Sequence, residues 1–477
     1  MRYTSRPATS RFALAAALTI FGSIAFAEGV SVSPATLTLI DVPSSAPMSA
    51  AAVDLAALGY SELEFFTEGT AQRYRGATLG KMETAEVIDG GYPYRSRVLL
   101  RRPAPEAFNG TLVVEWTNVT AGQDIDFAFA EMYEHLLSQG YAVAVISAQK
   151  GGVDRLKTWN PDRYGSLSVD ADNTDPQGGV VDTCVAGPEC PADPLAWDIF
   201  SQTAAALKET GEGAPLAGYD ITTVVALGQS QSAFRLSGYY NAIQPLTGLF
   251  DGFLFDDLAT QLRGDQTVPA ITVNSEVTAD MFPPAAPSDF VRIWDLAGAA
   301  HSSVYGAEYV DRMVLRDASY PGTNEPLSFT DTLASQNCAM PSSYSEVDTG
   351  AALSAALVSL EAWAEEGAPA PQSQIFARDA DGKVLRDAQG LPIGGLQLPE
   401  FAVPATSYAI NGPTVFCTLS GYSQDLTAEE MTARYGTKNA YVAAVRATGQ
   451  ALTEAGYLLA ADAETSVARA QAVDFTQ

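Results

Sequence analysis

Histidine is nearly absent from this chain: 477 residues hold two, His135 and His301. Chemistry that needs an imidazole has only those two sources, and a zinc site built on several histidines is excluded. Cysteine is scarce too. The four residues are Cys184, Cys190, Cys338 and Cys417, and their spacing fits no zinc pattern. Basic residues are few, 27 Lys and Arg against 56 Asp and Glu, for a formal net charge of −29. A surface of that sign repels nucleic acid and anionic membranes, so neither is expected as a partner. Beyond the N-terminus no stretch reaches the ~20 apolar residues of a spanning helix. No motif calls for a cofactor or a metal, and there is no internal repeat or low-complexity tract.

What is present is a globular composition, 47% apolar and 17% charged. Arg2, Arg6 and Arg11 precede the apolar run from Phe12 to Phe26, and Ala25-Phe26-Ala27 has the form of a cleavage site. Residues 1–27 therefore read as a signal peptide, with an exported chain starting at Glu28, periplasmic or extracellular. Its removal leaves 24 basic against 56 acidic residues, a net −32. In an oxidising compartment four cysteines suggest two disulfides. Of three possible pairings we expect Cys184–Cys190, closing a loop around Gly187 and Pro188, and Cys338–Cys417, stapling the C-terminal part.

Along the chain, residues 61–105 alternate in strand fashion. The run Thr111–Trp116 is apolar enough for a strand buried on both faces. A helix over 125–139, ended by Gly140, and a second buried strand from Tyr141 to Ser147 complete a βαβ unit. Residues 150–193 break this rhythm. They read as a surface insertion and, given their length, as a lid or substrate-binding element. A helix over 195–210 follows, then a strand Ile221–Leu227, a tight turn and a helix Ala233–Ile243. Further strands are expected at Phe250–Phe255, Val268–Val273 and Val291–Leu296. After about residue 310 the character changes. Helices are expected at Ala351–Ala364, 427–435 and 438–461, and hairpin and loop over 374–411. The domain reading is 28–310 as a catalytic core containing the insertion, and 311–477 as an α+β extension packed upon it.

Gly228-Gln229-Ser230-Gln231-Ser232 sits between a buried strand and a helix. That is the context in which a Gly-x-Ser-x-Gly turn presents a nucleophilic serine, although Ser232 stands where the last glycine belongs. Ser232 itself, two residues into the helix, is a weaker candidate. Serine acyl transfer also needs a base, a carboxylate to orient it, and N–H donors for the oxyanion. His135 lies upstream inside a helix, so His301, after the last core strand, is the expected base. The acid is expected between Ser230 and His301. Glu276 is preferred, Asp256 and Asp257 are the alternatives, and Asp280 is a third option. The N–H groups of Gln231, Asn118 and Val119 are the expected oxyanion donors. Glu115, odd in so apolar a strand, is expected to be buried and paired.

Several segments together resemble the exported bacterial α/β hydrolase domain family, most of whose members are uncharacterised. They are Val113-Val114-Glu115-Trp116-Thr117-Asn118-Val119, Tyr164-Gly165-Ser166-Leu167, Trp197-Asp198-Ile199-Phe200-Ser201-Gln202, the Ser230 turn, Asn274-Ser275-Glu276, Ala297-Gly298-Ala299-Ala300-His301 and Gly394-Gly395-Leu396-Gln397-Leu398-Pro399. The resemblance implies an α/β-hydrolase fold with a mostly parallel central sheet. It also implies Ser230 as nucleophile, Glu276 as acid, His301 as base, and a C-terminal region within the same unit. Residues 169–193 look inserted relative to that family. The expected activity is hydrolysis of a small-molecule carboxylic ester or lactone through an acyl-enzyme. The rivals are an amidase or peptidase using the same residues, and an inactive hydrolase-fold binding protein.

Overall fold

Six runs are buried along their whole length: β4 (Thr111–Trp116), β5 (Ala142–Ser147), β6 (Thr223–Gln229), β7 (Gly252–Asp256), β8 (Ala270–Ser275) and β9 (Val291–Leu296). A strand apolar on both faces needs cover on both, and in the computed structural model these six form the parallel part of one nine-stranded sheet. The order is β1-β2-β3-β5-β4-β6-β7-β8-β9, where β1 (Thr36–Leu39), β2 (Tyr60–Arg75) and β3 (Glu86–Pro103) add an antiparallel flank. The structure describes residues 31–475 except 43–44, 78–80, 184–190, 259, 283–285, 321–324, 334, 341–343, 411 and 413. The expected signal peptide, Cys184 and Cys190 fall outside these residues.

The helices in chain order are α1 (Phe127–Ser138), α2 (Lys150–Trp159), α3 (Pro161–Tyr164), α4 (Ala196–Leu207), α5 (Gln231–Gly238), α6 (Gln244–Thr247), α7 (Glu276–Met281) and α8 (Val304–Asp317). Then come α9 (Phe329–Leu333), α10 (Thr349–Glu366), α11 (Pro399–Ala402), α12 (Val415–Ser420), α13 (Ala428–Tyr435), α14 (Lys438–Ala455) and α15 (Ala460–Ala472). Two hydrophobic cores lie on the two faces of the sheet. One joins Trp116, Trp197, Phe200 and Phe253 beneath α4 and α5. The other joins Phe129, Leu254, Tyr309, Leu353 and Leu357 beneath α1, α8 and α10.

Glu115 shows how the second face is assembled. Its carboxylate accepts the N–H groups of Ala128 (3.1 Å) and Phe129 (3.0 Å), two of the unpaired donors at the start of α1. Beside it Arg101, fully buried, pairs with Asp126 and with Glu62 at 2.8 Å. The expected pairing of Glu115 is thus made with helix backbone. Burial, followed by the nearby Asp126, pushes the Glu115 carboxyl well above its ordinary range.

Two expectations need correction. Residues 150–193 open with α2 and α3, and two of their acids, Asp182 and Asp193, are drawn into the core. Asp182 meets Arg235 of α5 at 2.5 Å and Asp193 meets it at 3.0 Å. Over 374–398, isolated bridges replace the expected hairpin: Phe376 with Gly394, Arg378 with Val384, Arg386 with Pro392. This strap also runs beside β9, through Gln374 N–H to Ile293 O (2.8 Å) and Ala297 N–H to Leu396 O (3.0 Å). Two short strands, β10 (Thr406–Ala409) and β11 (Tyr422–Asp425), pair with each other.

Candidate active site

The strand order fixes where the site lies. From β4 the chain steps to β5 on one side, then to β6 on the other, so a crevice opens beyond the C-terminal ends of β4 and β6. Ser230 follows β6 directly, in a turn with φ 53° and ψ −117°. A non-glycine residue there is strained by about 1–3 kcal/mol and persists only if its surroundings hold it. They do. Ser230 N–H donates to Asp256 O (2.8 Å), and Gln229 N–H to Ser232 Oγ (2.9 Å). Ser232 Oγ in turn donates to Gln229 O (2.8 Å). Its hydroxyl latches the turn, which accounts for a serine in place of the motif's last glycine. Ser232 is fully buried, while Ser230 is partly exposed. Gly228 favours the close approach of strand and helix, because a Cβ there would lie a tight 3.0 Å from Ser232 O.

Ser230 and His301 line one cavity of about 500 Å³. His301 Nδ1 is 2.6 Å from Asp257 Oδ2, so Nδ1 carries the proton of the neutral ring and Nε2 is left as the acceptor. Toward Nε2 comes the Gln229 amide, with Nε2 to Nε2 at 3.3 Å. Asn118 Nδ2 donates to Gln229 Oε1 (3.0 Å) and so sets which end of that amide points at the histidine. His301 N–H donates to Leu419 O of α12 (2.9 Å). Two residues on, Ser303 caps α8 and is gripped by Glu131, whose carboxylate takes Ser303 N–H (2.9 Å) and Oγ–H (2.5 Å). Burial pushes the Glu131 carboxyl up to about 7.

The carboxylate on His301 is therefore Asp257, not Glu276. Ser275 caps α7 by accepting Thr278 N–H (3.2 Å), so Glu276 is wound into the first helical turn. From there it accepts Gly298 N–H (2.9 Å) and pairs with Arg386 of the strap at 2.6 Å. Asp256, the named alternative, is the last residue of β7 and is buried. Burial, then Asp257, raises its carboxyl well above the usual range. One residue further the backbone turns to φ 58° and swings Asp257 to the histidine. Asp280 lies 3.5 Å from Arg386. His135 is far from this chemistry, packed by the Tyr141 ring at 5.5 Å.

Of the expected oxyanion donors, Asn118 N–H is engaged by Ile125 O (2.9 Å), and Val119 N–H meets Gln231 Oε1 at 3.3 Å. Gln231 N–H stands at the first position of α5, where a helix has no internal acceptor for it. Gln229 was not anticipated as a neighbour of His301. Its place inside the turn, one residue before the serine, was the available signal.

The roof of the cavity comes from the C-terminal part: Tyr320, Phe329, Leu333 and Tyr344 on one side, Phe416 and Leu419 of α12 on the other. The insertion 150–193 supplies none of the described lining residues. Cys338 and Cys417 are bonded, with Cα atoms 5.4 Å apart and a sequence separation of 79. The bond ties the two halves of the roof. Replacing both cysteines by serine is expected to lower stability by about 2–4 kcal/mol, read as a lower denaturation midpoint. An unchanged midpoint would show the roof held without the bond. Among the described residues there is no metal-binding cluster, and no helix is long and apolar enough to cross a membrane.

Residues 31–468 match the profile of a family described as "Alpha/beta hydrolase domain". No curated protein matches the chain. Among solved structures it is similar to a rice cell wall degrading esterase from Xanthomonas oryzae, at 13% identity and TM-score 0.22 over 41% of each chain. It is also similar to acetyl xylan esterase 1 from a Thermoanaerobacterium species, at 10% identity and TM-score 0.26, over 49% of this chain and 60% of that one. Less than two thirds of either structure is covered.

Proposed function

We propose, on the premise that this chain belongs to the α/β hydrolase domain family, that it is an exported serine hydrolase of carboxylic esters or lactones. The observation that carries the reading is Ser230, held at φ 53° in a strand-to-helix turn on the same cavity as the His301–Asp257 pair. His301 Nε2 takes the Ser230 proton as Oγ attacks the carbonyl carbon, while Asp257 keeps the imidazole oriented and stabilises its charged form. The N–H groups of Gln231 and Val119 receive the oxyanion. On Val119 the substrate oxygen replaces the Gln231 amide oxygen, a weak partner at 3.3 Å. The tetrahedral species collapses as His301 protonates the leaving oxygen. Water, deprotonated by the same nitrogen, then releases the acid and restores Ser230.

Export rests on the N-terminal sequence pattern, and the Cys338–Cys417 bond fits an oxidising compartment. Ester is preferred to amide because its leaving group is the better one. The test is covalent labelling with a fluorophosphonate probe. The wild-type chain should label at one site, and Ser230→Ala should abolish the label while His301→Ala slows it strongly. Undiminished labelling of Ser230→Ala would overturn the assignment.

A further inference from the structure

The cavity around Ser230 carries more information than its reactive groups. None of its described lining residues is Lys or Arg, and the one carboxylate among them is Asp257, beside His301. The walls are aromatic and aliphatic: Phe127 from the start of α1, Phe234 from α5, Val277 from α7, Val310 from α8, and the roof. The apolar lining continues out to solvent. Met281 and Phe282, at and just beyond the end of α7, are 57% and 38% exposed, and Phe416 of α12 is 48% exposed. All three line the same cavity, and Val415 beside Phe416 is 59% exposed. Phe282 and Phe234 stack edge to face at 6.0 Å, so rim and interior form one continuous surface. Exposed apolar side chains gathered at the mouth of a cavity mark a surface that a ligand covers.

We infer that the substrate of this site is an uncharged ester with a large apolar portion, which fills the cavity and lies across the Met281–Phe282–Phe416 rim. The inference rests on the serine-hydrolase reading of the same site. Charge argues for neutrality in two ways. A carboxylate or phosphate on the substrate would enter a cavity with no Lys or Arg among its described lining residues to meet it, beside the Asp257 carboxylate. It would also approach a chain of net charge −29. A volume of about 500 Å³ is several times what an acetyl group occupies, so small esters leave the walls unsatisfied.

The experiment compares 4-nitrophenyl acetate, butanoate, octanoate and hemisuccinate. Each CH₂ that leaves water can raise kcat/KM by up to about fourfold. Octanoate is expected to exceed acetate by at least about tenfold, and hemisuccinate to fall about tenfold below butanoate. Phe416→Ser and Met281→Ser should each lower the octanoate-to-acetate ratio several-fold, mainly through KM. Equal rates for acetate and octanoate, or preference for hemisuccinate, would overturn the inference while fluorophosphonate labelling of Ser230 still upheld the hydrolase reading. Should Ser230 not label, the site's preference is read without turnover. Octan-2-one should displace a neutral solvatochromic dye from the protein where the octanoate anion does not, and the reverse order would count against an apolar ligand.

Discussion

Asp257→Asn is expected to lower kcat on an activated aryl ester by about 10⁴-fold, the effect that loss of the orienting carboxylate has in a serine triad. Asp257 Oδ2, 2.6 Å from His301 Nδ1, accepts the Nδ1–H hydrogen bond and so leaves Nε2 basic. An asparagine amide at the same place can turn its N–H₂ toward Nδ1. The ring proton then moves to Nε2, and the imidazole can no longer take the Ser230 proton. Glu276→Gln makes the contrast. The amide oxygen still accepts Gly298 N–H, and what is lost is the charge opposite Arg386. That loss of about 1.5–3 kcal/mol should appear in the denaturation midpoint, with kcat/KM held within about tenfold. Initial rates of the two variants decide the matter. A larger loss for Glu276→Gln than for Asp257→Asn would return the orienting role to Glu276.

The second large effect concerns stability. Arg101→Met removes a fully buried cation whose partners are the buried Asp126 and the partly buried Glu62, with Glu115 close by. Stranding buried carboxylates in this way is expected to destabilise by about 3–5 kcal/mol. Equilibrium unfolding in urea gives the number. The double variant Arg101→Met/Asp126→Leu should regain part of the loss, because the buried carboxylate paired directly with Arg101 is gone as well. A loss under about 1 kcal/mol for the single variant would show that water reaches the cluster. The start of α1 is held by Glu115, and the loop before it carries Thr120 and Ala121 into the cavity wall, so softening here should reach the site too.

These predictions separate what the sequence reveals from what it conceals. The parallel strands were legible because burial on both faces leaves no choice of residue, as in Thr111–Trp116 and Ala142–Ser147. Ser230 was legible through Gly228, whose missing Cβ lets strand and helix close up. His301 followed by elimination, being the only histidine downstream. The carboxylate was not legible. Asp256, Asp257 and Glu276 all stand at strand ends, and the choice among them turns on a single positive φ at Asp257 and on the helix that claims Glu276. The Gln231 side chain that covers the Val119 N–H was not legible either. The roof was hidden for a different reason. Phe416 and Leu419 lie more than 100 residues from His301, and nothing local distinguishes them from ordinary core residues.

The strap beside β9 bears on how the chain behaves toward its own kind. β9 ends the sheet, and a bare terminal strand offers a row of unpaired N–H and C=O groups on which another chain can build. Here Gln374 and Leu396 take up those groups, with the bridges Trp294 to Gln374 and Leu296 to Leu396 running parallel to the strand. The Arg386–Glu276 pair fastens the strap from the side. A chain cut short near residue 310 would keep Ser230, Asp257 and His301 yet leave β9 open along its length. It would also strip α10 from the second core, so self-association through open edge and bared face alike is the expected failing.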